Sequence, residues 1–66
     1  MREKYVLLKD YVTSEGIVPK NSDIILFRGL VYVNGGIIPQ GYRDEFIQLT
    51  KDPSMTKKVI IEKNEF

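Results

Sequence analysis

The chain contains no cysteine, no histidine and no tryptophan among its 66 residues. Lack of cysteine and histidine excludes disulfides, thiolate or imidazole metal sites, and catalysis that relies on either side chain. A domain of this size buries only roughly 60% of the surface of its unfolded chain, and it usually needs a disulfide, a metal or a partner. Since disulfides and these metal sites are excluded, association with a partner is the remaining means by which such a small domain could gain stability.

Neither sign of charge is in clear excess, and long apolar runs are missing. Ten Lys and Arg stand against nine Asp and Glu, which gives a formal net charge of +1. No stretch approaches the roughly 20 apolar residues of a membrane helix, and the first residues do not resemble a signal peptide. We therefore expect no membrane partner, and we expect the protein to stay in the compartment where it is made.

Short runs of β-branched, aromatic and leucine residues predict strands in most of the chain. Arg28-Gly29 interrupts one of these runs, either as a bulge or as a tight turn. Asn34-Gly35 between two apolar runs predicts an antiparallel hairpin. The predicted strands cover residues 4–12, 24–27, 30–33, 37–38 and 57–63, and residues 17–18 form at most a short or edge strand because Pro19 follows them.

One segment has a helical pattern, because Tyr42, Phe46 and Leu49 are spaced to share one helical face. Pro53 prevents the helix from continuing, so we expect it to cover about residues 42–51. The order of elements predicts a single α+β domain that spans the whole chain. Its small antiparallel sheet would have four to five strands, and the short helix would precede the last strand.

Five pairs of adjacent apolar residues raise the question of what covers the second face of this sheet, since neighbouring side chains in a strand point to opposite faces. One short helix can cover only one face. Either the sheet curls into a small barrel at its glycines, or the second face is an interface. The absence of disulfides favours the interface. The pairs are Leu7-Leu8, Ile17-Val18, Ile24-Ile25, Ile37-Ile38 and Ile60-Ile61.

No group of residues typical of an enzyme site can be assembled from the sequence. The serines have no histidine to activate them. Asp44 and Glu45 are adjacent carboxylates that would point about 100° apart on a helix and fit a solvated first turn. The glycines lack the spacing of a phosphate-binding loop, and the acidic residues lack that of a calcium loop. We therefore expect a non-enzymatic protein without a metal or cofactor.

Binding of single-stranded nucleic acid by a small barrel-like module is an alternative. Basic and aromatic side chains could form a surface on which bases stack. The nearly neutral charge argues against this function. Inhibition of a host protein is a further alternative that the sequence does not separate from a structural role. The residues of the nucleic-acid alternative are Arg28, Tyr32, Tyr42, Arg43, Lys57 and Lys58.

The segment "DEFIQLTKDPSMTKKVII" places a helix and a leucine before Asp-Pro, a nearby methionine and a valine-led strand. It resembles the end of small domains found in Mu-like prophages, and the whole chain, small and rich in Ile, Lys and Asn, is similar to virion or morphogenesis proteins of tailed phages. This resemblance implies a capsid-decoration, head-fibre or tail-completion subunit, made in the host cytoplasm and located in the virion, without catalytic residues. The matching positions are Leu49, Asp52, Pro53, Met55 and Val59.

Together these features predict a protein that acts by association. The partner would be a second copy of the chain, giving a homo-oligomer, or a larger coat or tail protein. A register shift of one residue would move any predicted strand contact to the other face. The predicted interface residues are Ile25, Leu30, Tyr32, Ile38, Ile60 and Phe66, with Arg28 and Arg43 as rim or anchor groups.

Overall fold

The computed structural model describes residues 2–60. Its strands are β1 (Arg2–Leu7), β2 (Tyr11–Thr13), β3 (Gly16–Val18), β4 (Asp23–Phe27), β5 (Leu30–Val33), β6 (Gly36–Ile37) and β7 (Thr56–Val59). A short 3-10 helix (Gln40–Tyr42) and the helix α1 (Arg43–Thr50) lie before β7. Five strands form an open antiparallel sheet, ordered β6-β5-β4-β1-β7, and β2 and β3 form a separate hairpin. The predicted α+β class is confirmed, and the sheet is not a closed barrel.

Two tight turns set the register of β4, β5 and β6. Arg28 and Gly29 have φ values of 52° and 76°, and Asn34 and Gly35 have values of 51° and 86°. Positive φ at both central residues is the mark of the type I′ turns that suit two-residue hairpins. Arg28-Gly29 is therefore a turn and not a bulge, and the hairpin predicted from Asn34-Gly35 is confirmed.

The single strand predicted over residues 4–12 is wrong. The first strand ends at Leu7, and the chain leaves the sheet before it enters β2. The amide of Leu8 still donates to the carbonyl oxygen of Met55 at 2.8 Å, which continues the ladder between β1 and β7 by one residue before the chain turns away. No glycine or proline marks this position in the sequence. Of the predicted last strand, residues 61–63 lie outside the described part of the chain.

The core lies between one face of the sheet and the layer formed by α1 and the β2–β3 hairpin. Phe46 and Leu49 of α1 are buried, as their helical spacing predicts, and Tyr42 packs beside them. The ring of Tyr11 in the hairpin contacts Phe46 edge-on, with 5.7 Å between centroids. The buried apolar residues are Leu7, Ile24, Val31, Phe46 and Leu49.

The Asp-Pro motif joins α1 to the last strand. The carboxylate of Asp52 accepts hydrogen bonds from the amide and hydroxyl of Ser54, at 2.9 and 2.7 Å, and these bonds lower the pKa of Asp52. Thr56 is buried, and its hydroxyl donates to the carbonyl oxygen of Leu49 at 2.8 Å. The motif therefore has a structural role, because it ends the helix and directs the chain into β7.

Candidate functional site

The sheet face turned away from the helix has no layer over it among residues 2–60. Along β4, Ile24 is fully buried, whereas its neighbour Ile25 lies on this outer face. Alternation along the strands places further apolar side chains beside Ile25. We call this group the outer patch. It consists of Ile25, Phe27, Leu30, Tyr32 and Ile37.

The register makes the outer patch continuous over three strands. Ile25 pairs with Tyr32, Tyr32 pairs with Ile37, and Phe27 pairs with Leu30. Leu30 is 41% exposed and Ile37 is 60% exposed, whereas Ile25, Phe27 and Tyr32 are half-buried. A shallow cavity of 230 Å³ lies between Ile25, Phe27, Tyr32 and Gly35. Contiguous apolar surface of this kind is typical of a binding site for another macromolecule.

Cationic side chains border the outer patch. The guanidinium carbon of Arg2 lies 5.5 Å from the ring centroid of Phe27, and that of Arg28 lies 5.1 Å from it. Lys4 occupies the position opposite Ile25, and its ammonium is 4.0 Å from the carboxylate of Asp23. The apolar surface therefore has charged groups on its rim, which is the usual arrangement at an interface.

Several predicted interface residues meet on this face. Ile25, Leu30 and Tyr32 belong to the outer patch, and Arg28 lies at its rim. The sequence could group them because they alternate along two strands joined by a short turn.

The other predicted interface residues lie elsewhere. Ile38 is half-buried against the core, and Arg43 lies at the start of α1, where its Nε donates to the carbonyl oxygen of Gly29 at 2.6 Å. Ile60 follows the last strand and is 90% exposed. Phe66 lies outside the described residues. Ile38 and Arg43 nevertheless line a cavity of 220 Å³ together with Leu30 and Ile37, at one edge of the outer patch.

Sequence reasoning missed Phe27 and Ile37, which also belong to the outer patch. Phe27 could have been found from its spacing of two residues from Ile25. Ile37 takes the place expected for Ile38, because the turn at Asn34-Gly35 pairs Val33 with Gly36. A difference of one residue in register exchanges the faces of neighbouring side chains.

The set of residues proposed for nucleic-acid binding does not form one surface. Tyr32, Arg28 and Lys57 are on the outer side of the sheet. Tyr42 and Arg43 belong to the helical layer, and Lys58 points to the core side of the sheet, where its ammonium is 3.4 Å from a Glu3 carboxylate oxygen. The aromatic rings of Tyr32 and Tyr42 are therefore on opposite layers of the molecule.

A second, smaller cavity lies beneath the β2–β3 hairpin. Its volume is 140 Å³, and its walls are mostly apolar. Two side-chain contacts tie the hairpin to the helical layer beside it: the hydroxyl of Tyr11 donates to Glu45, and the hydroxyls of Ser14 and Tyr42 are 2.6 Å apart. The walls include Val18, Val33, Ile38, Pro39, Tyr42 and Phe46.

The contact between Tyr11 and Glu45 predicts a change in stability at high pH. Burial, and then the hydrogen bond to Glu45, raises the pKa of Tyr11 from 10.0 to about 12. The folded protein therefore holds this proton more strongly than the unfolded chain does. The stabilisation should be complete below pH 10 and should be lost as the pH rises through about 12. Absorbance of the tyrosinate band during a pH titration measures this ionisation.

Two variants provide the controls for this titration. Tyr11→Phe should remove the ionisation near pH 12. Glu45→Gln keeps an acceptor but removes the charge, so the pKa of Tyr11 should fall toward its ordinary value. An ionisation near pH 12 that persists in Tyr11→Phe would contradict its assignment to Tyr11.

The residues that the structure describes give no indication of a metal site or of a membrane-spanning helix. Within residues 2–60, no group of three or more acidic side chains is close enough to hold a metal ion. No helix in this part of the chain combines the length and apolar character needed to cross a membrane.

Comparison of the sequence with models of protein families and with curated proteins, and a comparison with solved structures, found no match. The outer patch is therefore the best candidate for a functional site.

Proposed function

We propose that this protein is a non-enzymatic assembly subunit that binds another protein through its outer patch. The observation that carries the proposal is the uncovered sheet face, on which apolar side chains of β4, β5 and β6 form one surface. Burial of that surface against a partner would stabilise the complex by roughly 25 cal/mol per Å² of apolar area removed from water. A domain this small has few other means of gaining stability.

The resemblance of residues 44–61 to the end of small prophage domains supports a place for this assembly in a phage virion. Capsid-decoration, head-fibre and tail-completion subunits act by association and use no cofactor. A second copy of the chain and a larger coat or tail protein are the two partners that suit such a role.

Site-specific photocrosslinking in the source organism tests the proposal. A photoreactive phenylalanine analogue replaces Tyr32 in the outer patch, and the matched control carries it at Val12, which is 71% exposed on the β2–β3 hairpin. We expect a discrete crosslinked product from position 32 and none from position 12. Mass spectrometry of the product identifies the partner, and a product of twice 7.7 kDa would be a second copy.

The outcomes separate the parts of the proposal. Equal crosslinking from both positions, or none from position 32, would contradict binding through the outer patch. A virion protein in the product would support the phage role, and a host enzyme would instead favour an inhibitor.

A further inference from the structure

The cations of the described chain are concentrated around the outer patch. Four basic residues lie on this face or at its rim, whereas Asp23 is the one carboxylate among the described residues on the same face. Elsewhere in residues 2–60, five basic residues stand against six acidic ones. The net charge of the chain is therefore close to zero, although the basic residues are concentrated on the outer face. The four basic residues are Arg2, Lys4, Arg28 and Lys57.

These basic side chains lie close enough to the outer patch to interact with a partner that binds there. Arg2 and Lys4 occupy the strand next to β4, opposite Phe27 and Ile25. Arg28 follows Phe27 in the turn, and its guanidinium lies over the ring. Asp23 offsets Lys4 only in part, because their charged atoms are 4.0 Å apart and the carboxylate is partly exposed. A partner would therefore meet a positive potential around the apolar surface.

A second copy bound through the same face fits this charge poorly. A two-fold symmetric dimer places identical surfaces against each other. It would bring two sets of four cations together around one apolar contact. Like charges at an interface oppose association and suppress unsuitable partners. The distribution therefore favours a foreign partner that carries negative charge.

Nucleic acid supplies negative charge but does not suit the apolar part of the surface. Bases bind to sheets by stacking on open aromatic rings. Here the ring of Phe27 is contacted by the guanidiniums of Arg2 and Arg28. The rest of the patch is largely aliphatic, with Ile25, Leu30 and Ile37 beside Tyr32. Aliphatic groups gain most from apolar side chains, which a protein supplies.

We infer that the outer patch binds an acidic protein segment in which apolar side chains are flanked by carboxylates. The apolar side chains lie against Ile25, Phe27 and Tyr32, and the carboxylates pair with Arg28 and the lysines around them. This inference rests on the proposed function, and it selects the class of partner. Charge-assisted hydrogen bonds to the guanidinium would fix the orientation of the segment.

Binding of synthetic peptides to the isotope-labelled chain tests the inference, with amide chemical shifts as the measurement. The probe is a short peptide in which Leu and Phe alternate with Glu. Two further peptides carry Lys or Gln in place of Glu, and oligothymidylate represents single-stranded nucleic acid. We expect the Glu peptide to bind at least about tenfold more tightly than the Lys peptide, with weaker binding at high salt. The shifts should concentrate at Ile25, Phe27 and Tyr32.

A pair of charge-reversal variants provides the matched control. Arg28→Glu combined with Lys57→Glu should remove the preference for the Glu peptide. Lys20→Glu combined with Lys51→Glu makes the same change in net charge, at exposed positions outside the outer face, and should preserve the preference. All four side chains are exposed, so each variant should remain folded.

Each other result would overturn the inference. Equal binding of the three peptides would show that charge does not select the partner, although crosslinking from position 32 could still succeed. Binding of oligothymidylate in preference to the peptides would assign the patch to nucleic acid. Failure of every probe to shift amides of the outer patch would remove the acidic segment as its ligand. The crosslinking experiment tests the proposed function independently of these results.

Discussion

Replacement of Leu7 by alanine is expected to remove most of the stability of this domain. Leu7 is fully buried at the end of β1 and belongs to the small core beneath the helix. Leu→Ala changes at such sites cost about 2–5 kcal/mol, since they lose apolar contacts and leave a cavity. A chain of this length has a total stability of roughly 3–10 kcal/mol. Urea denaturation followed by circular dichroism measures the change in the free energy of unfolding.

The adjacent Leu8 provides a matched control, because the same substitution is made one residue away. Leu8 is 39% exposed and lies after the end of β1. Leu8→Ala should cost no more than about 1 kcal/mol, since much of its side chain already contacts water. Similar losses from both variants would contradict the position of β1 and the core described here.

The contrast within the pair Leu7-Leu8 shows how far the sequence could predict the fold. Adjacent apolar residues indicate that one of them leaves the core, and this holds in the pairs whose members are both described. The sequence does not say which one is buried, since that depends on the strand register and the turns. In β4 the first isoleucine is buried, and after Asn34-Gly35 it is the second that faces the core.

The helix and the hairpin at Asn34-Gly35 were predictable because their signals are local. The spacing of Phe46 and Leu49 and the stop at Pro53 define α1 within two residues of its observed bounds. Asn34-Gly35 defines a turn by its own backbone preference. The break after Leu7 could not be predicted in this way, because no glycine or proline lies at residues 8–10.

The same distinction applies to the candidate site. Ile25, Leu30 and Tyr32 could be grouped from alternation along neighbouring strands, but Ile37 required the register of the hairpin. The concentration of cations around Phe27 required the pairing of β1 with β4, which are separated by the β2–β3 hairpin. The total charge was used only as an argument against binding of nucleic acid. Pairing between strands that are distant in the sequence produces the positive rim.

The geometry of α1 explains why the outer face remains uncovered in a single copy. The helix has eight residues and is therefore only about 12 Å long. It packs on the inner face together with the β2–β3 hairpin, which contributes Tyr11 and Val18 to that side of the core. The one other helical element within residues 2–60 is the short 3-10 helix Gln40–Tyr42, which leads directly into α1.

Serine substitution at the pair Ile24-Ile25 is expected to separate folding from binding. Ile24 is fully buried, so Ile24→Ser removes a core side chain and buries a hydroxyl. The free energy of unfolding should therefore fall by at least about 4 kcal/mol, which would leave little folded protein. Ile25→Ser changes the outer face and should cost about 1 kcal/mol. Thermal unfolding followed by circular dichroism measures the difference.

The binding result follows from the same assignment of faces. Ile25 lies beside Tyr32 near the centre of the outer patch, where single side chains contribute most to an interface. Ile25→Ser should therefore weaken binding of the Glu peptide by about 2 kcal/mol, or roughly 30-fold. Val12→Ser removes an apolar side chain that is one methylene smaller and more exposed, lies on the hairpin, and should leave binding unchanged. If Ile25→Ser bound as well as the original chain, the outer patch would lose its role as the binding surface, because the change removes apolar contact without altering any charge.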